Sequence, residues 1–426
     1  MTKVYFLLRN FPITKDCSFI STYQDFNREN ISLTNRRDKT LISRNLNLHF
    51  TKSQIKFIFS YFFDFRIKLK RKKLYICRLK KRRLKMGLFS IFSKEVAIDL
   101  GTANTVILHN DKIVVDEPSI IALERNSGAV MAVGKKALMM HGRTHENILT
   151  VRPLKDGVIA DYQATELMLR EFIKMTGTKN YLFPPAMRMV ICIPSGITNV
   201  EERAVRDSAE QAGAKEVRMI HEPMAAAIGI GIDVLDASGN MIIDIGGGTS
   251  EIAVLALGGI VTSKSIKVAG DEFNDDIIEY MRKHHNLAIG EATAEQVKIN
   301  VGAAVDSLEN PPEDYEVYGR NLLDGIPRAV KVSYTEIAQA LDRSIAKIEA
   351  AVINTLENTP PELSSDIYKT GIYMAGGGSL LRGLDKRISK KTQLQVHVTE
   401  DPLKAVARGT SIALKNFDKF SSFLKK

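Results

Sequence analysis

The chain has 426 residues, of which 44% are hydrophobic and 26% are charged. This balance is typical of a water-soluble globular protein with room for two or three domains. No apolar run approaches the roughly 20 residues that a membrane-spanning helix needs. The best run, Phe57–Phe63, contains Ser60. The composition therefore excludes an integral membrane protein built of spanning helices.

The net charge of +11 is unevenly distributed. Residues 1–85 hold 22 Lys and Arg but only 5 Asp and Glu, a net charge of +17, which leaves −6 for residues 86–426. Taken as one value, the positive charge would suggest nucleic-acid binding. Taken in parts, it indicates a basic leader followed by an acidic globular body, for which we expect no nucleic-acid partner.

The leader, residues 1–85, contains one proline, no glycine and no clear helical or strand period. Three interpretations remain open: a disordered basic tail, an arm for membranes or nucleic acid, or a segment absent from the mature protein. We favour the third, with translation starting at Met86, because residues 86–92 (Met-Gly-Leu-Phe-Ser-Ile-Phe) resemble a protein start.

The three cysteines, Cys17, Cys77 and Cys192, form no CxxC pair and show no metal-ligand spacing. A disulfide framework is therefore not expected, and a reducing, cytosolic compartment is the simple interpretation. Cys192 lies in an apolar stretch and is expected to be a small core residue.

From Glu95 onward, short apolar runs alternate with helical stretches. Helices are predicted at Asn199–Gln211 and Tyr334–Leu356. Strands are predicted at Val96–Leu100, Met189–Ile193, Met241–Ile245 and Gly371–Ala375. The alternation predicts an α/β fold with mixed sheets flanked by helices.

Two distant segments resemble each other. Residues 96–105 read Val-Ala-Ile-Asp-Leu-Gly-Thr-Ala-Asn-Thr, and residues 241–250 read Met-Ile-Ile-Asp-Ile-Gly-Gly-Gly-Thr-Ser. Each is an apolar strand with Asp and Gly near its end, followed by a turn of small or hydroxyl-bearing residues. A second apolar run follows each turn, at residues 106–108 and 252–255. The repeat predicts two hairpins from two similar halves of the molecule.

This pattern has the chemistry of a clamp for nucleotide phosphates. Small turn residues let backbone N–H groups approach phosphate oxygens, and hydroxyls add donors. An Asp at the strand end, Asp99 or Asp244, can hold Mg²⁺ directly or through water. A third glycine turn, Gly371–Ser379, lacks an Asp and would instead suit close packing against adenine or ribose.

With these motifs, the chain resembles the superfamily of actin, sugar kinases and DnaK-type chaperones, and within it the MreB family. The resemblance implies an actin-like fold: two similar domains, each with a mixed sheet flanked by helices, around a nucleotide cleft. The leader has no counterpart in the family. The matching strings are residues 97–105, 152–161, 193–198, 222–229, 244–249 and 375–384.

The resemblance also implies domain borders. A short amphipathic segment, residues 86–94, would precede the first domain. The first domain would comprise residues 95–235 and 400–426, with a small insert near 116–154. The second would comprise residues 236–399, with a small insert near 271–334.

Carried over to matching positions, the resemblance assigns site residues. Glu222 would orient the attacking water with help from Thr249, and Asp99 and Asp244 would lie at the metal. On the residues alone, the alternative for Glu222 is a capping role before the helix that Pro223 starts. The implied nucleotide contacts are Thr102, Ala103, Asn104, Gly246, Gly247, Gly248, Glu295, Gln296, Val297, Lys298, Gly376, Gly377, Gly378 and Ser379.

Members of the MreB family often carry an apolar segment or loop that inserts into the bilayer interface, and two segments here match that description. One directly follows Met86, and the other is a proline-containing loop for which a buried strand entry is the alternative. Their apolar residues are Leu88, Phe89, Ile91, Phe92, Leu182 and Phe183. A few such side chains bind membranes weakly, and a filament would multiply the binding.

The implied function is an ATP-dependent filament, peripheral on the inner face of the cytoplasmic membrane, that organises cell-wall synthesis and maintains rod shape. ATP and Mg²⁺ would be its cofactors, with slow ATP hydrolysis coupled to assembly. Its partners would be further copies of the chain, the membrane surface, and the shape proteins MreC and RodZ. The alternative is a soluble ATPase of the same fold, either DnaK-like or sugar-kinase-like. The sequence offers no candidate for the substrate base of a sugar kinase.

Overall fold

The computed structural model describes residues 93–177 and 186–425. The leader and the candidate membrane residues Leu88, Phe89, Ile91, Phe92, Leu182 and Phe183 lie outside these residues. Within the described part of the chain, no helix combines the length and the apolar character needed to cross a membrane.

The first half of the molecule covers residues 93–229. Its strands are β1 (Ser93–Leu100), β2 (Asn104–His109), β3 (Lys112–Pro118), β4 (Ile121–Glu124), β5 (Val130–Val133), β6 (Ile148–Val151), β7 (Leu154–Lys155), β8 (Val158–Ile159), β9 (Ala186–Ile193) and β10 (Ala214–His221). Its helices are α1 (Lys135–Met140), α2 (Tyr162–Met175), α3 (Asn199–Gln211) and α4 (Glu222–Gly229). The main sheet has the order β10-β9-β1-β2-β3, and a small sheet has the order β5-β4-β6.

The second half covers residues 240–398. Its strands are β11 (Asn240–Ile245), β12 (Ser250–Ala256), β13 (Gly259–Ile266), β14 (Leu287–Ala288), β15 (Tyr315–Asn321), β16 (Pro327–Val332), β17 (Ile372–Ala375) and β18 (Val396–Val398). Its helices are α5 (Gly270–His285), α6 (Glu291–Val301), α7 (Tyr334–Glu357), α8 (Pro361–Thr370) and α9 (Leu384–Thr392). The main sheet has the order β13-β12-β11-β17-β18, and a small sheet has the order β14-β15-β16.

The chain then returns to the first half. Helix α10 (Ala405–Lys415) contacts the main sheet of the first half, and α11 (Phe417–Phe420) follows it. Lys425 pairs with Met219 on β10 through two backbone hydrogen bonds of 3.0 and 2.9 Å.

The two main sheets share one topology. In each, the first strand (β1 or β11) pairs antiparallel with the next strand and parallel with a later one. The outer pairs also correspond, because β2–β3 and β12–β13 are antiparallel while β9–β10 and β17–β18 are parallel. The predicted repeat is therefore confirmed as a duplicated five-stranded sheet, and with it the α/β fold class.

The helices and strands predicted from the sequence are confirmed, with small shifts at their ends. Helices α3 and α7 begin where predicted because each has a capping box. Thr198 and Glu201 form the box of α3, and Ser333 and Glu336 form that of α7. Each box satisfies backbone N–H groups that the first turn of a helix leaves unpaired.

One apolar core joins the two main sheets through α4 and α10. These helices cross with almost no space between their backbones. A Cβ on Gly229 would lie 1.9 Å from the Ala405 carbonyl oxygen, and a Cβ on Gly409 would lie 1.7 Å from that of Ala225. Glycine at both positions therefore permits a backbone-to-backbone contact that any side chain would block.

Candidate functional site

The turns of the two repeated hairpins close in the same way. The Gly101 N–H donates to the Asn104 carbonyl at 3.1 Å, and the Gly246 N–H donates to the Thr249 carbonyl at 2.9 Å. Each turn directly follows the strand that carries the repeated Asp. The sequence repeat is thus also a repeat of local geometry.

The two turns touch each other. A Cβ on Gly247 would lie 2.6 Å from the Cβ of Ala103, and a Cβ on Gly248 would lie 2.7 Å from Oγ1 of Thr102. A cleft of about 570 Å³ opens beside them. This volume lies within the range of small-molecule sites.

Five acidic residues line the cleft, and Asp99, Asp244 and Glu222 are three of them. Burial raises the pKa of Asp99 to about 6. Burial, followed by the charges of Asp99 and Glu251, raises the pKa of Asp244 to about 8. The pKa of Glu222 is raised well above its ordinary value, first by burial and then by the neighbouring carboxylates. Like charges held together in this way favour a bound cation.

The donor set fits Mg²⁺ in particular. Among residues 93–177 and 186–425, no three Asp, Glu, His or Cys side chains come close enough together to enclose a metal ion. Mg²⁺ usually needs only one or two carboxylates, because waters and substrate phosphates complete its oxygen ligands. Asp99 and Asp244 at the cleft are suited to that arrangement.

Cys192 is buried, as predicted for a core residue. Its thiol also donates a hydrogen bond to Oδ1 of Asp99 at 2.9 Å, a contact that no local sequence pattern predicts. Burial, and then the charge of Asp99, raise the pKa of the thiol well above its ordinary value. Cys192 therefore remains a neutral donor that helps to hold the Asp99 carboxylate in place.

Glu222 is the first residue of α4, and Pro223 follows it. The N-cap of this helix is His221, and no side chain makes a capping hydrogen bond there. The alternative interpretation of Glu222 as a capping residue is therefore wrong. Its side chain lines the cleft instead.

Helix α6 and the third glycine turn form the far wall of the cleft. Lys298 Nζ lies 2.7 Å from Oε2 of Glu295 and donates to the Gly270 carbonyl at 2.8 Å. Gly376 has a φ of 78°, and a Cβ there would lie 2.3 Å from the Ile245 carbonyl oxygen. The third turn thus packs directly on the second hairpin, and only glycine fits this contact without strain.

Comparison with known proteins identifies the family of this chain. The family model for the MreB/Mbl protein matches residues 93–422. The chain belongs to the MreB/Mbl family. Over 330 residues it is 46% identical to the cell shape-determining protein Mbl of Bacillus subtilis (strain 168), which covers 77% of this chain and 98% of that protein.

Solved structures agree with the family assignment. MreB 5 of Spiroplasma citri bound to AMPPNP has a TM-score of 0.73 and 38% identity, covering 78% of this chain and 98% of that chain. The MamK double helical filament has a TM-score of 0.65 at 21% identity, covering 76% and 99%, and supports the fold alone. The resemblance to the MreB family and the actin-like fold are both confirmed.

Most residues assigned from the MreB resemblance lie on the cleft wall. Three do not. Gln296 is exposed on α6, while Val297 is buried in the core of the second half. Ser379 is buried, and its hydroxyl donates to the Gly376 carbonyl at 2.7 Å. Those on the wall are Asp99, Thr102, Ala103, Asn104, Glu222, Asp244, Gly246, Gly247, Gly248, Thr249, Glu295, Lys298, Gly376, Gly377 and Gly378.

Three exposed apolar side chains of the cleft were not predicted from the sequence. Ile299, Leu380 and Leu403 line it and are 55%, 55% and 52% exposed, respectively. Apolar groups left open to solvent in a concave site are suited to contact the faces of an aromatic ring. They come from three separate elements, so no local pattern in the chain marks them as one surface.

A group of charged side chains, which we call the mouth cluster, also joins the two halves. Arg152 of the first half lies 2.7 Å from Oε1 of Glu291 and 3.6 Å from Oδ1 of Asp271, both in the second half. His141 Nε2 lies 3.4 Å from the other oxygen of Glu291. Glu291 begins α6, the helix that carries Glu295 and Lys298, so this cluster ties the first half to one wall of the cleft.

Proposed function

We propose that the chain binds and hydrolyses ATP, assembles into filaments and takes part in determining cell shape. The observation that carries the proposal is the pair of matching hairpin turns in contact beside a cleft that Asp99, Asp244 and Glu222 line. It is supported by the relative solved with AMPPNP and by the relative named a cell shape-determining protein.

In this proposal, the turns of the two hairpins bind the phosphates. Thr102 to Asn104 and Gly246 to Thr249 offer backbone N–H groups and hydroxyls at the cleft wall. The close contact between Gly247 and Ala103 keeps the two turns at a fixed separation. Such preorganised donors stabilise charge that develops on a transferred phosphoryl group.

The acidic side chains have separate roles. Glu222 orients the attacking water and accepts its proton, for which a carboxyl with a raised pKa is suited. Thr249 assists through its hydroxyl. Asp99 and Asp244 hold Mg²⁺, which when bound neutralises charge on the phosphates.

The remaining walls bind the nucleoside. Glu295 and Lys298 contact ribose and adenine, and Gly376 to Gly378 pack against the adenosine. Ile299, Leu380 and Leu403 supply the apolar contact for the base.

The assembly proposals rest on the family. Filament assembly is proposed from membership of the MreB/Mbl family. We propose a cytoplasmic location with peripheral membrane contact through Leu88, Phe89, Ile91, Phe92, Leu182 and Phe183, an organising role in cell-wall synthesis, and partners such as MreC and RodZ. We also retain the predicted domain borders at residues 235/236 and 399/400.

The test compares the wild-type chain with Glu222→Gln in two assays: ATP hydrolysis, and sedimentation with and without Mg-ATP. We expect Glu222→Gln to bind ATP with unchanged affinity but to hydrolyse it at least about 100-fold more slowly, because general base catalysis is lost. Glu313→Gln is the matched control, since Glu313 is exposed. Equal hydrolysis by Glu222→Gln and the wild type would rule out the role assigned to Glu222.

Sedimentation and liposome binding test the polymer. The wild-type chain should pellet with Mg-ATP and on anionic vesicles, and Leu182→Ser with Phe183→Ser should weaken the vesicle binding. A protein that binds and hydrolyses ATP but stays in the supernatant under all conditions would instead be a soluble ATPase of the same fold.

A further inference from the structure

Glu251 is a buried acidic residue that has no role in the function proposed above. It lies on β12 with no side-chain surface exposed, directly opposite Asp244 in the antiparallel pairing with β11. Side chains of directly opposite residues in such a pair project from the same face of the sheet. Glu251 therefore stands beside Asp244, but it does not line the cleft.

The partners of Glu251 come from both halves of the molecule. Its Oε2 accepts hydrogen bonds from the Ser195 backbone N–H at 3.0 Å and from the Ser195 hydroxyl. Its Oε1 accepts one from the Ser265 hydroxyl at 2.5 Å. Both carboxylate oxygens of Glu251 therefore have hydrogen-bond donors, as a buried polar side chain requires. Ser195 follows β9 in the first half, whereas Ser265 lies on β13 in the second.

The loop that Glu251 holds, residues 194–196, also contacts the proposed catalytic elements. The Pro194 carbonyl oxygen lies 3.3 Å from Nδ1 of His221, the residue immediately before Glu222. A Cβ on Gly196 would lie 2.9 Å from the Cβ of Ser265, so the loop sits directly on β13. A continuous set of contacts thus runs from β12 through this loop to the start of α4.

We propose that Glu251 is a positioning residue for ATP hydrolysis: it holds the loop of residues 194–196 on the second half, and the loop in turn positions His221 and Glu222. This inference rests on the proposed function. Closure of the two halves then aligns Glu222 with the phosphates bound by the second hairpin. A displacement of about 1 Å in such a group is enough to cost up to about 100-fold in rate.

The test exploits the two serines. Ser195→Ala removes a hydroxyl that connects the halves, and Ser265→Ala removes a hydroxyl bonded to the same carboxylate from within the second half. We expect Ser195→Ala and Glu251→Gln to lower kcat for ATP hydrolysis about 10-fold or more while KM and the Kd for ATP change less than about 2-fold. Ser265→Ala should retain near wild-type kcat, and Ser195→Thr, which keeps the hydroxyl, should restore it.

Each outcome bears on one proposal. Equal losses in Ser195→Ala and Ser265→Ala, or a loss in ATP affinity instead of kcat, would make Glu251 a structural carboxylate and overturn the inference. Wild-type kcat in Ser195→Ala would also overturn it. If Glu251→Gln fails to fold, the serine pair and the threonine rescue decide. A wild-type chain that binds no ATP would overturn the proposed function itself, which the binding assay shows separately.

Discussion

Two of the regions that join the halves have opposite character: the apolar core that contains the crossing of α4 and α10, and the mouth cluster. At the crossing of α4 and α10, backbone touches backbone, and neither Gly229 nor Gly409 has space for a Cβ. At the mouth cluster, the contact is made by long, partly exposed side chains, with Arg152 reaching to Glu291 and Asp271.

The difference shows where the molecule can move. If the two helices shifted toward each other, their backbone atoms would overlap, and no side-chain rotation could relieve that overlap. The crossing therefore resists distortion. A partly exposed ion pair is worth only about 0–1 kcal/mol, because water and salt compete for both partners. We therefore expect the cleft to open at the mouth cluster while the crossing acts as the fixed pivot.

The largest effect is expected at the crossing. Gly409→Ala places a Cβ 1.7 Å from the Ala225 carbonyl oxygen, so the helices must separate. We expect a loss of about 3 kcal/mol or more in the free energy of unfolding, as for severe overpacking of a core. Chemical denaturation followed by circular dichroism measures it.

A glycine beside the mouth cluster provides the control. Gly290 precedes Glu291, and a Cβ there would meet nothing within 4 Å. Gly290→Ala should cost less than about 1 kcal/mol, the difference between glycine and alanine at the start of a helix. Similar losses at Gly409 and Gly290 would contradict the contrast between the two regions.

The next effect concerns Asp99 and Asp244, the acidic side chains near the ends of β1 and β11. In the protein without metal or nucleotide, the pKa values of Asp99 (about 6) and Asp244 (about 8) are higher than the ordinary Asp value of 3.8. Between the ordinary Asp value of 3.8 and the raised values, the folded state therefore binds more protons than the unfolded state. Since stability falls with pH wherever the folded state binds more protons, these groups should raise the melting temperature as pH falls from 8 toward 4.

The variant Asp244→Asn isolates this contribution from that of other titrating groups. Its melting temperature should depend less on pH between 8.5 and 6 than that of the wild type, and Mg-ATP should flatten the wild-type profile in the same way. Identical pH profiles for the wild type and Asp244→Asn would show that the raised pKa of Asp244 does not contribute to the pH dependence of stability.

The smallest effect is expected at the mouth cluster. Arg152→Ala removes ion pairs worth at most about 1 kcal/mol, so stability should change little and a fluorescent ATP analogue should dissociate up to about 5-fold faster. Arg143→Ala is the control, because Arg143 is an exposed arginine of the same region. Raising the salt concentration should speed release from the wild type but not from Arg152→Ala. Unchanged release from Arg152→Ala would mean that the cleft opens elsewhere.

The sequence predicts those parts of the site whose residues are neighbours in the chain. Asp99 and its turn, like Asp244 and its turn, are recognisable because strand, carboxylate and small residues follow one another directly. The crossing could not be predicted in this way, because no local sequence pattern marks Gly229 or Gly409. Their importance arises only when the fold brings two distant helices together. The base-side residues Ile299, Leu380 and Leu403 were missed for the same reason, since exposed apolar residues carry no local signal.

Glu222 shows an intermediate case. Its position before Pro223 was compatible with a cap or with a role in the site, and local pattern could not decide. The structure removes the capping alternative, because the N-cap falls on His221, and Glu222 lines the cleft.

The crossing of α4 and α10 also sets an order of events on the ribosome. Helix α4 is synthesised long before α10, and the intervening chain takes roughly 10–35 s to make at typical translation rates. Throughout that interval, the apolar surface that α10 later covers on the first half has no partner. The newborn chain is therefore expected to depend on a holding chaperone until α10 has emerged.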